Sequence, residues 1–383
     1  MMSDAVASSP FATTPAIGAP TETPAFRIFQ PRNLCSWLFL WYLMLGAVST
    51  FRWFRPNIDA VSTTALLAFV LFGLYSLPWI WFLHRRDRWT PIPSRLLLFG
   101  ALWGGLTATF FIAMTANGAL LSIYNKAISA PFAQDWGPGL AAPFSEETGK
   151  GIGILLLLFI APRIIRTPFD GFILGSFVGL GFQIVEDILY AINQAVEGFG
   201  ADQAHAAIYI FTVRGVAGFF SHALFSAIWG TGIVYFIGTS VTPRNRTRGI
   251  ALILTAMLAH GVWDAAAAIG GILGVPAILA MAVLGLIELI VIVMIGRRTS
   301  EGERTQVRSL LASEVVEGTI TDAELSAVSG SRKDRKRYLK SVQDRGQRHA
   351  KKITLDAAQD LAQALAKSGG QNTLHVQFAR SEV

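Results

Sequence analysis

The apolar residues of this 383-residue chain are gathered into blocks of about twenty, and that block length restricts the fold more than any other feature. A helix rises about 1.5 Å per residue, so about 20 apolar residues cross the roughly 30 Å hydrocarbon core of a bilayer. Within that core every backbone N–H and C=O must be satisfied inside the protein, which leaves helices and closed barrels. Barrel strands read as segments of about ten residues with alternating polarity, and the sequence has none. Charged residues make up only 15% of the chain, against about 25% in soluble domains. The expected fold is therefore all-α, a polytopic membrane helix bundle of about eight transmembrane helices. They run roughly over 34–51, 61–83, 96–121, 143–161, 169–193, 207–238, 249–270 and 273–296.

Three regions follow. Residues 1–33 are rich in Ala, Ser, Thr and Pro and read as a disordered cytoplasmic leader, without the basic start and cleavage site of a signal peptide. Residues 34–296 form the membrane-embedded core, and 297–383 a basic soluble accessory tail. Arginines set the orientation: Arg85, Arg86, Arg88 and Arg95, then Arg163 and Arg166, then Arg244, Arg246 and Arg248, then Arg297 and Arg298 fall in alternate connections. Under the positive-inside rule this makes a multi-pass protein of the cell membrane with both termini cytoplasmic, although Arg52 and Arg55 dissent. The net charge of +7 is concentrated in the tail, at 332–337 and 345–352. Anionic lipid is the simpler partner for such a run, and no nucleic acid is expected. The single cysteine, Cys35, excludes an intrachain disulfide framework and a cysteine-based zinc cluster.

Against this apolar background, ionisable residues recur on four consecutive spans. Glu146, Glu147 and Lys150 open the fourth; Glu186 and Asp187 lie in the fifth, His222 in the sixth, and His260 with Asp264 in the seventh. Such groups are costly in a membrane, face the bundle interior and mark function. Counting residues from the span ends puts all four stations in the outer half of the bilayer. Glu146 and Lys150 are four apart and Glu147 and Lys150 three apart, so either carboxylate reaches the ammonium on one helix face. Adjacent carboxylates in low dielectric do not both ionise readily, which suits one acid and one base. His260 and Asp264 are one turn apart, spaced to orient an imidazole or to share a metal. Glu186 is expected to point inward and Asp187 to reach the interface. Arg214 is expected to snorkel to water, and Glu288 has no motif around it.

These residues fall in four motifs in order: EExxK at Glu146 to Lys150, a phenylalanine four residues before an acidic pair at Phe182 to Asp187, HxxxxxxxG at His222 to Gly230, and HxxxD at His260 to Asp264. Together they resemble the PrsW family of membrane-embedded proteases, related to the CAAX-processing and bacteriocin-processing proteases. The resemblance covers about 34–296, and Asp187 stands where the family commonly has Asn. It implies peptide-bond hydrolysis near the outer membrane face, with a single-span membrane protein such as an anti-sigma factor as substrate. The family leaves open whether a divalent metal, zinc for instance, takes part.

The catalytic expectation from the residues is that Glu146 or Glu147, helped by His222, activates a water. Lys150, Glu186, His260 and Asp264 support it, with His260 and Asp264 either stabilising the oxyanion or holding a metal. Serine or cysteine catalysis is disfavoured, because Ser221 faces away from His222 and the thiol is remote. Two other classes compete: a proton-coupled transporter, and a non-catalytic scaffold for partner helices.

Overall fold

The computed structural model describes residues 26–87, 91–218 and 221–383, and the described residues are helical without strands. Most of the leader lies outside them. The helices are α1 (Leu34–Ala60), α2 (Ser62–Arg86), α3 (Ser94–Leu102), α4 (Met114–Ala127), α5 (Ala130–Asp135), α6 (Gly137–Ile160), α7 (Pro168–Glu197) and α8 (Gln203–Ile210). They continue with α9 (Ser221–Ile237), α10 (Arg246–Asp264), α11 (Ala266–Leu273), α12 (Ala277–Val316), α13 (Asp322–Ser329), α14 (Arg332–Lys340), α15 (Arg345–Ser368) and α16 (Leu374–Ser381). A wide-turn π segment, Trp103–Ala113, joins α3 and α4 into one rod, Ser94–Ala127, and a second, Phe211–Ala217, extends α8. Such wide turns re-aim the side chains beyond them and recur at functional sites.

Among the described residues four helices are long and apolar enough to cross a membrane: α1, α2, the Ser94–Ala127 rod and α7. A fifth is added if α10 and α11, bent by 64° at Ala265, count as one broken span. The first five apolar blocks each hold a helix, but the sixth, 207–238, is divided among α8, the second π segment and α9, and the seventh between α10 and α11; the chain is a multi-pass membrane protein. Large apolar side chains such as Leu34, Trp41, Leu66, Leu74 and Trp81 stay exposed on α1 and α2, as a lipid-facing surface requires.

α7 is the central helix, buried along most of its length between α9 and the rod. Its start is fixed by a capping box: the Thr167 hydroxyl accepts from the Asp170 N–H (3.1 Å) and the Asp170 carboxylate accepts from the Thr167 N–H (2.8 Å). What lets α9 come so close is a glycine every fourth residue on one face of α7. Cβ atoms at Gly171, Gly175 and Gly179 would run into the carbonyl oxygens of Gly230, Ser226 and His222. This small-residue packing brings helix backbones together in a membrane.

The tail packs against the bundle. α12 continues beyond the expected end of its span at 296 through to Val316, and the tail helices pack on its extension. Leu355, Ala358, Leu361, Ala362 and Leu365, the apolar positions read from helical spacing, are all buried, in one core continuous with that of the bundle. Arg380 grips the buried Glu314 through both carboxylate oxygens at 2.6 and 2.8 Å. Arg166 Nη1 donates to the Ala366 carbonyl (2.7 Å), and Arg332 Nη2 to the Arg85 carbonyl (2.8 Å). The tail therefore sits over the arginine-bearing ends of the bundle.

Candidate active site

Four helices deliver the site. α6 carries Glu146, Glu147 and Lys150, and its entry is spaced by Gly139. There α6 meets α10 backbone to backbone: a Cβ on Gly139 would lie 2.7 Å from the Gly261 carbonyl oxygen, and one on Gly261 would lie 2.7 Å from that of Gly139. This approach sets His260, the residue before Gly261, against Glu147. Gly230 plays the matching part for His222. It lies two turns further along the same face of α9, where a Cβ would run into the Gly171 carbonyl, so α9 is pinned to α7 and His222 meets Glu186.

The resulting network is buried and closely connected. Glu147 is fully inaccessible: its Oε1 lies 2.6 Å from Lys150 Nζ and 3.0 Å from His260 Nδ1, and its Oε2 accepts from Ser226 Oγ at 3.4 Å. Lys150, also inaccessible, lies 3.1 Å from His222 Nδ1 and 3.7 Å from Glu146 Oε2, with its ammonium 4.0 Å from the centre of the Phe182 ring. That cation–π contact accounts for the aromatic residue ahead of the acidic pair. His222 Nε2 is 2.9 Å from Glu186 Oε2. Glu146 Oε1 accepts from Asn117 Nδ2 at 3.0 Å, and Asn117 Oδ1 in turn accepts from Ser145 Oγ. His260 stacks on Phe225 (4.9 Å between centroids) and meets His222 edge-on, also at 4.9 Å. Asp264 Oδ2 is 3.3 Å from His260 Nε2, and its side chain is 22% exposed.

All seven residues singled out in the sequence are thus brought together. Two neighbours depart from expectation. Arg214, although its side chain is 26% exposed, turns inward and bridges Glu186 and Asp187 at 2.5 Å each. Asp187 does not reach the protein surface: it is 1% exposed and held by that arginine, whose charge offsets the cost of burying an ionised carboxylate. Asn117, which no motif marks, was missed; its signal is a lone amide in an apolar span. The side chain of Glu288 lies outside the described ones.

Residues 92–295 match the PrsW family of intramembrane metalloproteases. The chain belongs to this family. It is therefore a membrane-embedded peptidase, a hydrolase. No curated protein and no solved structure matches the chain.

A metal implied by the family fits the residues present. Among the described residues Glu146, His222 and His260 form one group whose ligand atoms lie within 4.8 Å of one another. Each imidazole is tied at one nitrogen to a carboxylate, His260 Nδ1 to Glu147 and His222 Nε2 to Glu186. The other nitrogens, His260 Nε2 and His222 Nδ1, lie 3.6 and 3.7 Å from the same oxygen, Glu146 Oε2. A carboxylate behind an imidazole is the usual support for a metal-ligating histidine. Glu146 Oε2 and His260 Nε2 are buried without a hydrogen-bond partner, as atoms reserved for a cation would be. The charges agree: five carboxylates (Glu146, Glu147, Glu186, Asp187, Asp264) face two permanent cations, Lys150 and Arg214. His222 Nδ1 faces Lys150; with that nitrogen given to a metal, Lys150 would still be held by Glu147.

Proposed function

We propose that the protein hydrolyses a peptide bond of a single-span membrane-anchored protein near the outer membrane face, with Glu146, His222 and His260 as ligands of a divalent metal. One observation carries this reading: two differently held imidazoles converge on Glu146 Oε2, a buried oxygen without a hydrogen-bond partner. Zinc suits a two-histidine, one-glutamate set, and when bound it supplies polarisation of the scissile carbonyl and acidifies water.

The chain's own residues do the remainder. Glu147 and Glu186 fix the ring orientation and tautomer of His260 and His222, and Asn117 aims Glu146. Glu147, enclosed by Lys150, His260 and Ser226, is assigned this orienting role, not that of a base. Lys150 pairs with Glu147, and Arg214 pairs with Glu186. Asp264 is the most exposed carboxylate of the cluster, at the bend where α10 gives way to α11. It takes a proton from the attacking water as the new C–O bond forms, and returns it to the amine as the C–N bond breaks.

The orientation proposed for the chain is eight spans in the cell membrane with both termini cytoplasmic. The arginine-bearing bundle ends contacted by the tail support it, since the acidic and histidine cluster lies toward the opposite ends of α6 and α7. An anti-sigma factor is the substrate type that the family resemblance favours. The test is incubation of the purified protein with single-span peptides, with and without chelator, followed by fragment sequencing. Cleavage near the outer end of the peptide that chelator abolishes and zinc restores is expected. Chelator-resistant cleavage, or none by the metal-loaded protein on any single-span peptide, would reject the reading.

A further inference from the structure

At the other end of α7 a groove of about 410 Å³ opens between α2, the start of α7 and α12. Its described lining is apolar, including Trp79 and Phe82 from α2, Phe169 and Phe172 from α7, and Leu289 and Val293 from α12, except at one end, where Arg86 and Arg297 stand. Trp81 and Phe82 are exposed on α2, a helix long and apolar enough to cross a membrane, so the groove opens onto an apolar surface. Phe169 and Glu186 are seventeen residues apart on α7, about 25 Å at the helical rise, so the groove is remote from the peptidase site.

The arginines are placed at a cost. Arg86 and Arg297 stand together at that end of the groove, and Arg332 is held beside them by its bond to the Arg85 carbonyl at the end of α2. Among the described residues none of the three is ion-paired; the tail's ion pairs use Arg304, Arg335, Arg337 and Arg380. Three guanidinium groups gathered without an ion-pair partner repel one another unless an anion joins them. The anion must also fit beside an aromatic, aliphatic slot within the bilayer. A soluble phosphate satisfies the arginines but leaves the slot empty, and a substrate helix fills the slot but offers no concentrated negative charge.

We propose that this groove is a binding site for an anionic phospholipid, its phosphate joined to Arg86, Arg297 and Arg332 and one acyl chain lying between α2 and α12. The tail contributes through Arg332, the first residue of α14, so the bound lipid ties tail to bundle. Guanidinium forks match phosphate oxygens bidentately, and basic pockets between spans are the usual form of lipid headgroup recognition.

The full chain, purified in detergent and delipidated, is titrated with dioleoylphosphatidylglycerol or dioleoylphosphatidylcholine and the adducts read by native mass spectrometry. Tighter binding of the anionic lipid, by about tenfold or more, is expected. Removing two guanidinium groups, in Arg86→Gln/Arg297→Gln, should weaken that lipid about 30-fold and the zwitterionic one, whose choline offsets its phosphate, much less. The Lys/Lys double variant should keep most of the affinity. Gly296→Leu provides a second route that leaves the arginines alone. A Cβ there meets only the Phe172 ring, at 3.5 Å, so the backbone has room, and the longer side chain fills the groove and should weaken both lipids. Equal affinity of the wild type for both lipids, or unchanged binding in the Gln/Gln and Gly296→Leu variants, would overturn the site. So would full displacement by millimolar inorganic phosphate, or a co-purifying peptide cross-linked in the groove.

Discussion

Gly179→Ala tests how closely the site depends on helix approach. The added Cβ would run into the His222 carbonyl oxygen and stand 2.8 Å from Ala223 Cα. Ordinary contact begins at about 3.4 Å, so α9 must retreat by about 1 Å. A retreat of that size lengthens the His222 Nε2 to Glu186 Oε2 contact from 2.9 Å beyond hydrogen-bond reach. Overpacking of this kind costs about 1–3 kcal/mol in stability, and a 1 Å displacement of a catalytic group costs about a hundredfold in rate. Gly73→Ala and Gly118→Ala are the controls: a Cβ at either meets nothing within 4 Å, and alanine gains up to about 1 kcal/mol in helix propensity. The assays are cleavage of a synthetic single-span peptide and thermal unfolding of the full chain in detergent. Cleavage by Gly179→Ala within threefold of wild type, with an unchanged midpoint, would refute the reasoning.

Two further substitutions probe other parts of the structure. Arg214→Gln leaves Glu186 and Asp187 buried without their cation and should destabilise the chain by about 3 kcal/mol; Arg214→Lys, a point charge in place of a fork, should fall between it and wild type in the same unfolding assay. Asp87 follows the end of α2, with its Oδ2 accepting from the Ile92 N–H at 2.8 Å, and burial first, then the charge of Glu303, raises its carboxyl to about 7. A raised carboxylate contributes stability that is fully present below its unfolded value near 4 and is lost as pH rises through about 7. Asp87→Asn should therefore leave stability at pH 4 little changed and raise it at pH 8, by up to about 4 kcal/mol; an equal effect at both pH values would argue against it.

Much of the site was legible because its chemistry is written at helical spacing. Glu146, Glu147 and Lys150 share a face by counting alone, as do His260 and Asp264, and the apolar blocks locate their helices. The motif glycines Gly230 and Gly261 acquire their meaning only in three dimensions, as the points where α9 meets α7 and α10 meets α6. What sequence reading missed depends on contacts between distant segments. Asn117 reaches Glu146 across 29 positions and Arg214 reaches Glu186 across 28; neither pair has a local pattern, so each residue on its own looks like an incidental polar side chain. The division between Glu146 and Glu147 was equally hidden. The two are adjacent in sequence, but the roughly 100° step of the helix turns Glu146 toward His260 Nε2 and His222 Nδ1 and Glu147 toward Lys150 and His260 Nδ1.

Metal content tests the convergence on Glu146 most directly. The full chain and its variants are exposed to zinc, desalted and assayed for zinc per chain. Wild type and Asp264→Asn should each retain about one, with Asp264→Asn inactive, while Glu146→Gln, His222→Ala and His260→Ala should retain none. A wild type that holds no zinc, or ligand variants that hold as much as wild type, would contradict a metal centre at these three residues.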